Sequence, residues 1–398
     1  SGFLLFMHNF SLQISEEPKD LPTYLRITDI NDEGKFIRTN RVSVNITNSV
    51  KYSLKEGDIV FARTGATVGK TYLYNTADGD LVFAGFLIRF TSNTEKIFPY
   101  YIRIYADTTT YWNWVRIISQ RSGQPGINPA EYCSLKIPVP SLTEQQKIIE
   151  VLSTWDKAIE KQSQLIEKLE LRKKGLMQQL LTGKKRLSGF SGEWKNIKLG
   201  DIVSFFNSNT LSREKLSFSE GNILNIHYGD VLIKFPTILD VSVCNLPFIH
   251  DIKNFIPKDY ISDGDVIMAD TAEDGTVGKV CEVINVGSNK IVAGLHTIFI
   301  HPKIKFSPMF LGYYLNSNEY HKQILSIMQG IKVYSITKEA LRKTYIKIPC
   351  IEEQKAIADI LSSCDKELNL TNNRLESLRK QKKGLMQVLL TGKKRLIK

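Results

Sequence analysis

Lys173-Lys-Gly-Leu-Met-Gln-Gln-Leu-Leu-Thr-Gly-Lys-Lys-Arg-Leu187 occurs twice in this chain, returning at residues 382–396 with one change, Val388 in place of Gln179. The offset is 209 residues, and the register holds upstream. Glu144-Gln145 meets Glu353-Gln354, Leu152-Ser153 meets Leu361-Ser362, and Asp156-Lys157 meets Asp365-Lys366. Further back, Pro140 meets Pro349, Tyr105 meets Tyr314, Ala84-Gly85 meets Ala293-Gly294, and Val68-Gly69-Lys70 meets Val277-Gly278-Lys279. Residues 68–187 and 277–396 thus align without a gap, and a two-residue shift then sets Gly57-Asp58 on Gly264-Asp265. The chain is a tandem duplication of one unit.

Each unit ends in a long amphipathic helix. Ile148, Leu152, Trp155, Ile159, Gln162, Ile166, Leu169, Lys173, Leu176 and Leu180 follow 4,3,4,3 spacing. Their equivalents are Ile357, Leu361, Cys364, Leu368, Thr371, Leu375, Leu378, Lys382, Leu385 and Leu389. Eight of ten are apolar in each, which predicts a coiled-coil seam broken at the same two places in both copies. A proline precedes each helix and Thr-Gly (Thr182-Gly183, Thr391-Gly392) stops it. A helix of about 40 residues spans roughly 60 Å.

The first part of each unit reads as mixed α/β. Asp58–Arg63, Thr71–Tyr74, Phe86–Phe90, Asp265–Ala269 and Thr297–His301 are expected strands. Pro99–Ala106 and Pro308–Leu315 are expected short helices opened by proline.

The chain has 398 residues, 42% hydrophobic and 24% charged, which suits a soluble globular protein of two or three domains. No apolar run is long enough to span a membrane, and the opening Ser1-Gly2-Phe3-Leu4-Leu5-Phe6-Met7 lacks the basic lead-in of a signal peptide. Five scattered cysteines predict a reducing, cytoplasmic setting rather than a disulfide framework. The net charge of +12 points to an acidic partner, most simply nucleic acid. Residues 143–187 and 351–398 supply +9 of it, so the basic character lies mainly on the helical segments.

Catalytic motifs are missing. Gly65-Ala-Thr-Val-Gly69-Lys70-Thr71 has three residues between its glycines where a phosphate-cradling P-loop needs four, and its duplicate Gly275-Thr-Val-Gly278-Lys279-Val280 has two. Both read as tight turns between strands. No Gly-x-Gly-x-x-Gly cradle is present, and Asn128-Pro129-Ala130-Glu131 does not match the tetrad with which amino-methyltransferases hold a base. His296 and His301, five apart on an expected strand, would face opposite sides and make a poor metal pair. Asp265, Asp270 and Glu273 have Asp58, Arg63 and Gly65 in the other copy, so no acidic cluster is shared.

The residues suited to reading DNA lie in loops. Arg63, Thr64 and Lys70 flank the first turn, and Lys279 is the equivalent lysine of the second copy. Ser119–Gly126 carries Gln120, Arg121, Ser122 and Gln124, and Arg and Gln can pair bidentately with guanine and adenine. The matching loop, Gln329–Ser335, offers Gln329, Lys332 and Tyr334 instead. Trp112, Trp114 and Arg116 could brace a DNA backbone, although aromatics here read more readily as core, and the same holds for Asn225, His227 and Tyr228.

Three features together resemble the specificity subunits of type I restriction–modification systems: the duplicated Glu-Gln-Gln-Lys-Ile and Glu-Glu-Gln-Lys-Ala helix entries, the two Lys-Lys-Gly-Leu-Met-Gln-x-Leu-Leu-Thr-Gly repeats, and the Gly-Asp strand openings. Trp194-Lys-Asn-Ile-Lys-Leu-Gly-Asp201, at the start of the second unit, adds to the likeness; the first unit has no counterpart. The resemblance implies an α+β protein with pseudo-twofold organisation. Two target-recognition domains (1–140 and 188–349) would alternate with two conserved helices (141–187 and 350–398) that pair antiparallel. Each domain would read one half of a bipartite target on double-stranded DNA. The helices would set the gap and dock two modification subunits, through Leu176, Met177, Lys184, Lys185 and Arg186 at one end and Leu385, Met386, Lys393, Lys394 and Arg395 at the other. S-adenosylmethionine would then belong to the modification subunits, and ATP and Mg2+ to restriction/translocase subunits, with no cofactor and no catalytic site in this chain. A stand-alone bipartite DNA-binding regulator is the alternative reading.

Overall fold

The computed structural model describes residues 14–15, 21–39, 41–44, 51–250 and 256–397. The expected helices run over Leu142–Leu180 and Ile351–Leu389, 39 residues each. Every seam position is buried or half-buried. Both helices end in a left-handed glycine, Gly183 (φ 69°) and Gly392 (φ 74°). The Lys185 amide reaches back to the Gln179 carbonyl (3.2 Å), and Lys394 to Val388 (2.9 Å). The Gly183 amide also bonds the Leu180 carbonyl and the Gly392 amide that of Leu389 (3.3 Å each), so each helix closes on its glycine, where an L side chain would be strained.

The chain divides into two compact units, and the boundary cuts both helices near their middles. One unit holds residues through Ser163 together with those from Asn373; the other is Gln164–Asn372. Each unit therefore pairs the start of one helix with the end of the other, antiparallel. In the first unit Lys382 bonds Asp156 (2.6 Å); in the second Lys173 bonds Asp365, and Arg172 adds a bond to Glu367. The seam breaks at Lys173 and Lys382 are thus polar because each lysine meets a carboxylate on the opposing helix.

The first unit contains a three-stranded antiparallel sheet in the order Thr71–Leu73, Asp58–Ala62, Leu87–Thr91. A second sheet holds Ile14–Ser15, Ser43–Val44, Thr23–Leu25 and Leu81–Phe83, its last pair parallel. The second unit repeats both sheets and extends the first to five strands, with Ile238–Asp240 at one edge and Val203–Phe206 at the other. Its central strands Val280–Ile284, Val266–Ala269 and Thr297–Pro302 are equivalent to the three of the first unit. The duplicated Gly-Asp explains itself in both. Gly57 and Gly264 take φ of 89° and 86°, and the following aspartate is buried while it accepts an amide three residues back, Lys55 (2.9 Å) or Ser262 (2.7 Å). Each closes the turn that launches the central strand.

The helix Pro99–Tyr105 opens at proline as expected. Its counterpart starts two residues late, at Phe310–Leu315, because Met309 is left-handed (φ 72°). There the buried Glu282 carboxylate accepts the Met309 and Gly312 amides (2.5 and 2.7 Å) and occupies the helix entrance. Trp194 opens a strand, Lys195–Lys198, that pairs with Tyr345–Ile348. The first unit shows no such partner among its described residues, and the equivalent segment 136–139 is not a strand.

The helix ends are core elements of the units rather than a stalk beside them. The first core gathers Tyr101, Tyr105, Tyr111 and Tyr132 with Ile148 and Leu152 from the first helix and Met386, Leu389 and Leu390 from the second repeat. The second core joins Phe310, Tyr313 and Tyr320 with the seam residues Ile357 and Leu361 of the second helix, and with Leu180 and Leu181 from the first repeat.

Candidate nucleic-acid interface

In the first unit the two loops nominated from sequence form one joint. The turn after Asp58–Ala62 is a single 3-10 turn, Gly65–Thr67, before Thr71–Leu73. It is not a phosphate cradle, since its backbone bonds run inward: Gly69 N–H donates to the Ala62 carbonyl (2.9 Å) and Lys70 N–H to Thr67 (3.0 Å). Thr64 pairs with Gly126, Gly65 N–H reaches Pro125 (2.9 Å), and Ile127 N–H reaches Arg63 (2.8 Å). Gln124 lies against Gly65 so closely that a Cβ there would fall 2.8 Å from its Nε2. The stretch 120–125 is exposed throughout.

Arg121 donates to the carbonyls of Ile118 (2.9 Å) and Gln120 (2.8 Å) and pairs with Glu131, which also caps the helix Pro129–Cys133. An exposed ion pair of this kind is worth about 0–1 kcal/mol, so Glu131 holds the Arg121 guanidinium only weakly. Lys70 is bonded to Asp32 (2.7 Å), and the ammonium holds that carboxyl below its usual range. Trp114 packs with Tyr111 and Tyr132 in the core, while Trp112 stays 41% exposed beside Gly69. Arg116 is exposed as well.

The second unit builds the same joint. Thr271 pairs with Ser335 and Ala272 with Tyr334, and Ile336 N–H reaches the Asp270 carbonyl (2.9 Å), as Ile127 reaches Arg63. Gln329 and Ser335 exchange two backbone bonds (2.9 and 2.8 Å) and pinch off the exposed tip 330–333. The frame is shared but the side chains are not. Asp270 replaces Arg63, while Ile331, Lys332 and Val333 replace Ser122, Gly123 and Gln124.

Several expectations change here. Lys279 is not available to DNA: its ammonium donates to the Leu232 carbonyl (2.7 Å), and burial pushes its pKa down. His296 is not on a strand but precedes one in a left-handed conformation (φ 55°), with its ring 3.5 Å from Asp270. His301 is on the strand and bonds Asp265 (2.7 Å). Asn225 is fully buried and accepts from Asn209 (2.7 Å), and His227 caps the helix Tyr228–Ile233.

The helix ends show why the Glu-Gln pairs recur. Gln145 accepts the Phe98 amide (3.0 Å) and Gln354 the Ser307 amide (3.0 Å), which ties each helix to its own domain. The preceding glutamate faces the other repeat's tail. Arg186 grips Glu353 bidentately (2.7 Å for both bonds), with Trp194 adding a third bond (3.2 Å). Arg395 grips Glu144 (2.7 and 2.8 Å), with the Leu396 amide adding another (3.2 Å). This pairing holds the Glu144 carboxyl below the usual carboxylate range. Two of the nominated partner contacts, Arg186 and Arg395, are thus internal clamps. Met386 is buried, and Leu176, Met177 and Leu385 are half-buried against the cores. Lys184, Lys185, Lys393 and Lys394 are exposed.

A family model described as the type I restriction modification DNA specificity domain matches residues 13–171 and again residues 191–380. The chain belongs to this family. Its two DNA specificity domains are the two repeats defined above. Among similar proteins of Methanocaldococcus jannaschii, one named as the putative MjaX type I restriction enzyme specificity subunit is 28% identical over 87% of this chain and 80% of its own length. The MjaVIII specificity subunit is 24% identical over 97% of this chain and 89% of its own. The fold matches a chain solved in work on assembly and conformational transition of the type I R-M system, with TM-score 0.59, 17% identity, and 94% and 92% of the two chains covered. It also matches the type I S subunit from M. genitalium, with TM-score 0.53, 14% identity, and 95% and 93% covered. Among the described residues of this specificity-domain chain, no helix is long and apolar enough to cross a membrane. No cluster of three or more metal-ligating side chains occurs among them.

Proposed function

We propose that each unit reads one half of a bipartite target on double-stranded DNA, and that the two halves are different words. One observation carries this reading. The joint Thr64–Gly126 and the joint Thr271–Ser335 are the same backbone construction, yet they present different side chains. A frame that is kept while its exposed side chains differ is what reading two sequences requires.

The paired helices would set the number of unread base pairs between the words. Their exposed basic ends, Lys184-Lys185 and Lys393-Lys394, would dock two modification subunits. Those subunits would bring S-adenosylmethionine, while restriction/translocase subunits would bring ATP and Mg2+. This chain would supply recognition and no chemistry. The test is to assemble the chain with its modification subunits, methylate genomic DNA, and map the modified bases by long-read sequencing. The expected result is one bipartite, asymmetric motif with a fixed gap. Methyl transfer by the purified chain alone, or binding to a single undivided site, refutes the proposal; tight sequence-specific binding without any partner would favour a stand-alone regulator.

A further inference from the structure

We infer that the tip Ile331–Val333 of the second unit reads thymine through its 5-methyl group, an apolar recognition for which the equivalent tip of the first unit, Ser122–Gln124, carries no aliphatic side chain. The inference rests on the bipartite reading above and goes beyond it by naming the chemistry of one word. Ile331 is 92% exposed, more than any other large apolar side chain described, and Val333 is 51% exposed two residues on. The tip is held and not loose. Gln329 and Ser335 close it with two backbone bonds, Tyr334-Ser335 pairs with Thr271-Ala272, and the Ile336 amide is fixed to Asp270. Gly330 takes φ 122° and lies so close to the Val333 carbonyl that a Cβ there would be 1.9 Å away. The turn that projects Ile331 therefore depends on glycine.

Position and charge together decide what covers this tip. Ile331 and Val333 stand where Ser122 and Gln124 stand in the first unit, on the joint that presents the exposed polar loop there. Lys332 between them is exposed and can reach a phosphate. The facing turn carries Asp270, Glu273 and Asp274, so the joint as a whole is a poor backbone clamp. An apolar pair with one cation, in a DNA specificity domain, suits the major groove. There the thymine methyl is the one apolar feature that distinguishes a base pair, and aliphatic side chains cover it.

The experiment uses the full chain assembled with its modification subunits, after the target has been mapped. Each thymine of the second word is replaced in turn by deoxyuridine, which removes only the methyl. Binding should weaken about four-fold for each methyl covered, the value of one buried carbon group. Any effect of the same replacement in the first word should be the same with Ile331→Ala as without it. Ile331→Ala, at a site open to water and therefore safe for folding, should abolish the deoxyuridine effect by binding both duplexes equally. A second word without thymine, a deoxyuridine series without effect, or an effect that survives both Ile331→Ala and Val333→Ala overturns the inference. So does loss of a modification subunit from Ile331→Ala at unchanged DNA affinity, which would make the tip a protein contact. Failure to find any bipartite target would instead refute the parent reading, so the two failures are distinguishable.

Discussion

Leu389→Ala should destabilise the first unit, although Leu389 sits on the helix of the second repeat. The side chain is 2% exposed and belongs to the buried cluster that includes Tyr101, Tyr105, Ile148 and Leu152. Truncating a buried leucine to alanine costs about 2–5 kcal/mol, from lost transfer energy and the cavity left behind. At about 1.4 kcal/mol per factor of ten, opening of the first unit should become about 30- to 4,000-fold more frequent. Hydrogen exchange read by mass spectrometry resolves where that opening occurs. Protection should fall over Pro99–Tyr105 and Asp58–Ala62, while Phe310–Leu315 and Val266–Ala269 keep theirs. Leu180→Ala, equally buried but in the other core, should produce the mirror pattern. Protection lost over the second unit and kept over the first in Leu389→Ala would refute the exchange of helix ends.

Arg121→Ala should leave the melting temperature nearly unchanged, because the ion pair and the two carbonyl bonds it removes are all at the exposed surface. It should weaken binding to the first word by about 1–3 kcal/mol in a salt-titrated binding assay; an equal loss on all sequences with a shallower salt slope would make Arg121 a phosphate contact. Lys184→Glu with Lys185→Glu should release one of two modification subunits while the fold persists, and native mass measurement showing both still bound would exclude those lysines as a docking face. Arg186→Glu, by contrast, should lower thermal stability by itself, since it sets a carboxylate against the buried Glu353. Burial pushes Glu282 up to about 7 from its ordinary 4.5, against two amide bonds that oppose the shift. The native state thus holds this proton more tightly than the unfolded chain, and stability should fall as pH rises from about 4.5 to 7, by on the order of 3 kcal/mol. Glu282→Gln should flatten that slope in pH-dependent unfolding of the second unit, and an unchanged slope would assign it to other groups.

The duplication and both long helices are legible in the sequence because a 3.5-residue period and a near-identical 15-residue ending are local, repeated signals. The central strands are legible for the same reason. What the sequence conceals is which distant segments meet. Nothing in the local pattern of Arg63-Thr64 announces Gly126, about sixty residues on, and the bond is between backbones, which carry no side-chain signature. Arg186 and Arg395 read as surface cations in a basic run until the structure places a buried glutamate opposite each. Lys279 reads as its equivalent Lys70 does, but a carbonyl of the helix Tyr228–Ile233 captures it, and the first unit has no such helix among its described residues. The equal polar breaks in the two seams are the available hint of cross-helix pairing, since a lysine kept in an apolar stripe needs a partner.

The exchange of helix ends inverts the order in which the units can be finished during synthesis. A ribosome delivers the first domain before the second, and vectorial folding would ordinarily complete them in that sequence. Here the second unit is one uninterrupted stretch, Gln164–Asn372, whereas the first awaits Met386, Leu389, Leu390 and Arg395. The first domain therefore emerges with Glu144 unpaired and one wall of its core open. It remains so while more than two hundred further residues are translated. The half of the protein made first is the half that closes last.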